Sequence, residues 1–504
     1  MKLVKGRSEG LGDRLPQPGV LRLGRPSDIW FKPALSVVVA VAPPNLALLT
    51  LGRLDLAMYA MAGSLCALYA HDRPYAARAR ALAWVVLGML GGLTTALVTA
   101  SLTTDGVVLV TVGAVLAAVQ KALCDATRIG PPGNVVLTFI SSAVLFTPQT
   151  LDRIPGHLAP AVAAAAWAWL VGMAPGLLRP HGPERRATAA ALTATAACVE
   201  TSGRGDTVGT GAVGSGTADD RAHAHAAAGA AVRAARHSLL AAGRPAETRA
   251  ALDRLLVRAE AALAAPADAD PAPLRAWARQ VRGNRPVPAV DGPTGPTGIG
   301  IEPAPPRGPL WRRLGPLGPL AVRTALGCAL AGYASLALGI GRPYWALVTA
   351  ASLYQANLTL TWGRGVQRVV GNLLGVLLFA ALVPLAHSGE VALVLCCLAL
   401  NFGAEALIAR NYWLGSVCVT PMALLVTEFA GFQEPGRLIT ERVVDTLVGA
   451  LVGLAAAVAV PDRRWQRVVR AGRTVPRTLA ATGRSRGPHP DQRTGSDTTE
   501  GVRP

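Results

Sequence analysis

The stretch "GRPYWALVTAASLYQANLTLTWGRGVQRVVGNLLG", residues 341–375, sets amides, hydroxyls and guanidinium groups inside or beside long apolar runs. Thr349, Ser352, Gln355 and Thr359 recur at helical spacings of three and four, which predicts one polar stripe along an apolar helix, with Asn357 beside it. In lipid such a stripe faces protein or water, either hydrogen-bonding to other helices or lining a path for a polar solute. Arg364, Arg368, Gly371 and Gly375 follow at i, i+4, i+7 and i+11 and share a face of the next helix. The two glycines form a GxxxG pair that admits a close neighbour. The arginines either anchor the span at the membrane edge or offer paired donors to a carboxylate.

A second constellation closes the apolar part of the chain. In "RLITERVVDTLVGALVGLAAAVAV", Glu441, Asp445, Gly449 and Gly453 step by four, with Arg437 and Arg442 beside them and another GxxxG. Charges at the mouth of a span need partners or water. An ion pair of Arg442 with Glu441 or Asp445 is the structural expectation, and a carboxylate that carries a proton is the functional one. Glu405, in "NFGAEALIARNYW", is expected to pair with Arg410, and Pro421, Pro43 and Pro44 are expected to kink or break their spans.

The elements that position these groups follow from composition. The chain has 504 residues, 51% of them hydrophobic and 16% charged, with a mean hydropathy of +0.37. The apolar residues run in blocks of about 18 to 22, enough for a helix to cross roughly 30 Å of hydrocarbon. Only helices satisfy their own backbone hydrogen bonds there without closing into a barrel. The net charge of +19 lies at block edges and in the tails, which fits membrane topology and anionic headgroups and argues against nucleic acid.

Six spans are expected near 30–50, 54–71, 81–101, 105–123, 133–150 and 157–178, and six more near 319–341, 343–361, 366–386, 389–408, 411–429 and 440–461. Lys and Arg alternate with this count so that both tails are cytoplasmic, as expected for a multi-pass protein of the cell membrane. "AGSLCALYAHDRPYAARARALAWVVLG" can be laid over "AASLYQANLTLTWGRGVQRVVGNLLG" at an offset of about 288, pairing Ser64 with Ser352 and Arg80 with Arg368. The expected fold is therefore all-α, with two parallel repeats of about six transmembrane helices joined by a cytoplasmic helical segment. Its parts are a tail at 1–29, a first half at 30–180, cytoplasmic helices and a Pro/Gly linker at 181–318, a second half at 319–461, and a polar tail at 462–504.

Several other chemistries are disfavoured. "GTGAVG" at 209–214 has the spacing of a dinucleotide loop but no strand before it, His223 and His225 fall on different helix faces, and no Walker A sequence occurs. The cysteines form no CxxC pair, and Cys66, Cys124, Cys328, Cys396, Cys397 and Cys418 sit in or beside spans as small fillers. Neither enzyme chemistry nor a cofactor or metal is expected. The partners are the bilayer and a small solute, with self-association compatible.

The segment "RTALGCALAGYASLALGIGRPYWALVTAASLYQANLTLTWGRGVQRVVGNLLG" resembles the FUSC-like family of fusaric acid resistance proteins and aromatic acid exporters. The likeness rests on Pro343 to Ala346, on the R-x-x-x-R-x-x-G-x-x-x-G run from Arg364 to Gly375, and on the R-x-x-D-T-L-x-G-x-x-x-G run from Arg442 to Gly453. It implies export of small organic anions, often aromatic acids, coupled to the proton gradient. Tyr344, Trp345, Thr349, Gln355, Asn357, Arg364 and Arg368 would line the path, and Glu405, Glu441, Arg442 and Asp445 would supply ion-pair or proton sites. A passive anion channel and a non-transporting membrane scaffold are the alternatives. At the 288 offset Met61, Ala67 and Ala76 stand where the second half has Thr349, Gln355 and Arg364, so the site is expected to be asymmetric.

Overall fold

Each apolar run read from the sequence folds as helix. The computed structural model describes residues 20–23, 30–130, 132–207, 215–242, 247–283, 286–290, 309–355 and 358–459. The first half comprises α1 (Phe31–Thr50), α2 (Ala57–Ser64), α3 (Tyr75–Leu102), α4 (Gly106–Thr127), α5 (Val135–Leu145) and α6 (Ile154–Met173), followed by the single turn α7 (Pro175–Leu178). Four helices poor in long apolar runs come next: α8 (Gly182–Thr207), α9 (Ser215–Ala241), α10 (Glu247–Ala264) and α11 (Pro271–Arg282). The short α12 (Leu310–Leu314) leads into α13 (Gly318–Ala337), α14 (Tyr344–Leu353), α15 (Leu358–Ala386), α16 (Glu390–Ile408), α17 (Tyr412–Thr427) and α18 (Pro435–Ala459).

Among the described residues nine helical segments are long and apolar enough to cross a membrane. The other three expected spans are shorter, at Leu54–Leu68, Val135–Leu145 and Tyr344–Leu353. In the first, α2 tightens into a 3-10 turn over Leu65–Leu68, Tyr69 is extended, and Ala70 takes a left-handed φ of 62°. In the last, the helix stops at Leu353 because Tyr354 turns to ψ 112°. Ten residues reach only about 15 Å, roughly half the hydrocarbon thickness. Irregular backbone at that depth persists only where protein covers it, and all ten residues of α14 are buried, as are seven of eight in α2.

The long helices carry their apolar side chains outward as well as inward. Leu87, Leu170, Leu330, Leu377 and Leu451 are all more than half exposed, as lipid-facing residues are, whereas a water-soluble bundle would bury them. Within the first half the second element packs on the sixth, the third on the fifth and sixth, and the first on the second and sixth. The same positions meet in the second half: α14 on α18, α15 on α17 and α18, α13 on α14 and α18. Across the halves, α1 packs on α16 and α13 on α4. Helices α8 to α11 enclose a separate core of Leu192, Val232, Leu252, Leu255, Leu256 and Val281. Arg236 is tied there to Asp253 and, at 2.6 Å, to the buried Glu260. Pro421 lies inside α17 and Pro43 and Pro44 inside α1, and neither helix ends at them.

Candidate functional site

Glycines determine how closely the second-half helices approach. A Cβ built on Gly449 would stand 2.4 Å from the Ala346 carbonyl oxygen, and one on Gly453 would stand 2.9 Å from Leu353 Cδ1, so α18 lies directly on α14. On the neighbouring pair, a Cβ at Gly371 would meet Ser416 Cβ at 2.5 Å and one at Gly375 would meet Thr420 Cβ at 2.6 Å, which puts α15 against α17. Both GxxxG pairs thus bring backbones together. Asn372 then ties three helices: its Nδ2 donates to Thr446 Oγ1 (3.0 Å) on α18, and its Oδ1 accepts from Thr420 Oγ1 (2.6 Å) on α17. The sequence reading missed Asn372, although it stands four residues after Arg368 on the same face.

Beside this junction two guanidinium groups are buried without, among the described residues, an ion pair within 4.0 Å. Arg442 is 1% exposed, its Nε and Nη1 have no hydrogen-bond partner, and its Cζ sits 4.0 Å from the centre of the Trp345 ring. Among the described residues no carboxylate lies within 4.0 Å of it, so the expected ion pair with Glu441 or Asp445 is not formed. For Glu441 the reason is angular: it is the adjacent residue and points to another face, where Arg437 (2.8 Å) and Arg342 (3.2 Å) hold it, whereas Asp445, three residues on, is turned to the Ser335 hydroxyl of α13. Arg368, 4% exposed, donates from Nη1 to the Tyr412 hydroxyl (3.1 Å) and leaves Nε unpartnered. Arg368, Asp445, Tyr344 and Tyr412 all lie within Coulombic reach of Arg442.

Aromatic rings line the same place. Trp345 stacks on Phe139 of α5 (5.4 Å between centroids) and adjoins Tyr344 (4.8 Å), which in turn meets Phe146 (5.8 Å). Arg364, half-buried, rests over the Tyr412 ring at 3.9 Å. Both arginines lie within α15, as the shared helical face predicts; α15 begins eight residues before its expected start at 366, so that Arg364 is inside the helix as well as Arg368.

The polar residues divide differently from the expected stripe. Thr349 is fully buried beside Gly449 with an unpartnered hydroxyl, and Ser352 donates to the Thr349 carbonyl (2.7 Å) of its own helix. Gln355 lies past the end of α14, its N–H donating to Thr361 Oγ1 (3.1 Å) and its carbonyl accepting from Arg323 Nη2 (3.2 Å). Thr359 belongs to α15, so no single helix carries all four. Asn357 falls outside the described residues. Asp445 is fully buried, accepts from the Ser335 hydroxyl (2.6 Å) of α13, and leaves Oδ2 unpartnered. Glu405, on α16, is half-buried and, among the described residues, forms no ion pair within 4.0 Å with the exposed Arg410. It is not drawn into the Arg442 group.

Below Arg364 and Arg368, the peptide at Val20–Arg22 is held across the start of α15 and α17. Gln367 donates to the Val20 carbonyl (2.7 Å), Asn411 to those of Val20 (3.2 Å) and Arg22 (2.8 Å), and Trp413 to that of Leu21 (3.2 Å). The sequence reading contained no signal for this contact, because it joins positions nearly four hundred residues apart.

Long lipid-facing helices, short wholly buried ones and unpaired charges inside the bundle define a multi-pass helical membrane protein. Within it, residues 329–456 match the family described as "Fusaric acid resistance protein-like", which bears out the resemblance read from PYWA and the two arginine-to-glycine runs. The chain is also similar to "Uncharacterized membrane protein YvaC" of Bacillus subtilis (strain 168), 33% identical over 135 residues, 26% of this chain and 21% of that protein. An "Uncharacterized protein" of Haemophilus influenzae (strain ATCC 51907 / DSM 11121 / KW20 / Rd) is 30% identical over 149 residues, 29% of this chain and 20% of its own length. The matches span about one fifth of each of these relatives. No solved structure matches.

Proposed function

We propose that the protein is a secondary transporter that exports small organic anions, aromatic acids among them, with Arg442 and Arg368 receiving the carboxylate. The observation that carries this reading is a buried Arg442 with two N–H vectors unclaimed and, among the described residues, no carboxylate within 4.0 Å. An uncompensated buried charge is strongly destabilising, and a site that keeps one gains when an anion enters and satisfies it. An aromatic acid offers one planar apolar face and one carboxylate, the complement of the Trp345, Tyr344 and Phe139 rings beside the guanidinium. The match to fusaric acid resistance protein-like sequences supports the substrate class.

The repeated packing of second on sixth and third on fifth element supports two parallel repeats. Positive-inside charge supports a cytoplasmic position for helices α8 to α11. Asp445 is the proton carrier: it is buried beside Arg442, and one of its oxygens is unclaimed. The role is transport and not catalysis.

Flux in proteoliposomes tests this. A pH gradient imposed across the membrane should drive a radiolabelled aromatic acid such as benzoate uphill. Asp445→Asn, which keeps an acceptor for Ser335, should abolish uphill accumulation while leaving counterflow exchange intact. Downhill flux alone, insensitive to the gradient in both proteins, would identify a passive anion channel, and no flux would refute transport of this class.

A further inference from the structure

The first half holds a cluster of cations that the organic-anion site does not use. Arg78 of α3 is 5% exposed; its Nη2 contacts His71 Nδ1 (3.1 Å) and its Nε has no partner. It is seated beside Gly172 of α6, where a Cβ would stand 3.6 Å from Nη2 in ordinary contact, the space left by the glycine being taken by Leu82. One turn back along α3, the Tyr75 ring covers Gly176 of α7, and its hydroxyl would stand 3.6 Å from a Cβ at Gly182, the first residue of α8. Arg186 of α8 is within Coulombic reach of Arg78, His71, Tyr75 and Lys32, and Arg179 is within reach of Lys32 and Tyr75.

The acids nearby do not balance these charges. Glu184 is 1% exposed with Arg249 Nε 3.8 Å away, which leaves the exposed Asp72 against Lys32, Arg78, Arg179 and Arg186. Four cations drawn from α1, α3, the α7–α8 turn and α8 repel one another unless an anion joins them. The flank of the cluster is greasy: Leu177 and Leu178, 88% and 82% exposed, immediately precede Arg179, and Phe31 precedes Lys32. Exposed leucines adjoining basic groups are the arrangement of a chain that meets acyl tails and headgroups together.

We propose that Lys32, Arg78, Arg179 and Arg186 form a binding site for a phosphate-type anion at the junction of the first membrane half with the α8–α11 bundle. The phosphate comes either from an anionic phospholipid headgroup, which the flanking leucines favour, or from a soluble phosphate. Arg78 supplies the buried donor, Tyr75 a hydroxyl, and the other three the surrounding charge. The site is separate from Arg442 and stands whether or not the protein transports organic anions.

The test uses the purified full-length chain in neutral detergent, with lipid occupancy read by native mass spectrometry and by titration. In one arm dioleoylphosphatidylglycerol is compared with dioleoylphosphatidylcholine, and in the other inorganic phosphate is added without anionic lipid. Lys32→Gln/Arg179→Gln/Arg186→Gln should weaken phosphatidylglycerol binding by about 100-fold, since each basic group near a headgroup contributes roughly a factor of five. Phosphatidylcholine binding should not change. Arg80→Gln/Arg312→Gln/Arg410→Gln, an equal loss of charge elsewhere, should change phosphatidylglycerol binding far less. Lys32→Gln/Arg179→Gln alone, confined to exposed side chains, guards against a folding defect and should give an intermediate loss. Loss confined to the inorganic phosphate arm would support the site with a soluble ligand. Equal binding by the wild type and the triple variant in both arms, or equal loss in the control triple, would overturn the proposal.

Discussion

Replacing Arg442 with methionine separates a binding role from a structural one, because the two roles predict opposite signs. Methionine is unbranched and apolar, and it can occupy the channel the arginine stem leaves beside Trp345. If Arg442 were there for stability, its loss would destabilise the bundle. The geometry argues otherwise: two N–H groups have no acceptor, no carboxylate lies within 4.0 Å among the described residues, and the ring contact at 4.0 Å is the main compensation. That contact is worth about 0.5 to 2 kcal/mol, whereas relieving an uncompensated buried charge returns about 1 to 4 kcal/mol. The variant should therefore melt at the same temperature as wild type in detergent or a few degrees above it. Transport should fail, since two charge-assisted hydrogen bonds of about 1.5 to 3 kcal/mol each correspond to a loss in anion affinity of roughly a hundredfold to ten-thousandfold. The assays are thermal unfolding by intrinsic fluorescence and benzoate flux in proteoliposomes. A variant that melts well below wild type yet transports normally would refute the reasoning.

Three further outcomes follow from named contacts. Gly449→Val should disrupt α14 on α18, because even a Cβ would lie 2.4 Å from the Ala346 carbonyl; the expected loss is about 1 to 3 kcal/mol or more, read as a lower melting temperature and poor monodispersity. His71, in the loop before α3, is pushed down from its ordinary 6.5 to about 4 by burial and then by the Arg78 charge, so the folded protein keeps it neutral where the unfolded chain protonates it. Its contribution is intact above pH 6.5 and lost as pH falls toward 4, at most about 3 kcal/mol, and His71→Gln should flatten that part of the stability profile. Asn411→Ala removes two hydrogen bonds to Val20 and Arg22 and should raise amide exchange across residues 20–23 with little change in the start of α17.

The apolar runs and their order were legible because lipid demands contiguous helix, and each of the twelve expected spans coincides with a helical element. Their lengths were not. A hydropathy window counts Tyr344 to Thr361 as one apolar segment, but the chain leaves the helix at Tyr354, a backbone choice that depends on Arg323 and Thr361 from neighbouring helices. The GxxxG pairs were legible as close contacts but not their partners, which are carbonyls and small side chains with no distinguishing pattern. Arg368 and Arg442 were found by spacing, yet the chemistry at Arg442 was misassigned to an ion pair. One-dimensional proximity to Glu441 hides the rotation of about 100° between adjacent helical residues. Asn372 and the contacts of Val20 and Leu21 join residues far apart in the chain, and one sequence carries no trace of them.

The central claim, that Arg442 and Arg368 hold the carboxylate of an organic acid, is tested most directly by a cryo-electron microscopy map of the protein at saturating benzoate. The account predicts density for the carboxylate within hydrogen-bonding distance of Arg442 Nη1 or Nε, with the ring against Trp345 or Tyr344. Benzoate bound elsewhere, with both guanidinium groups unchanged and unoccupied, would contradict it.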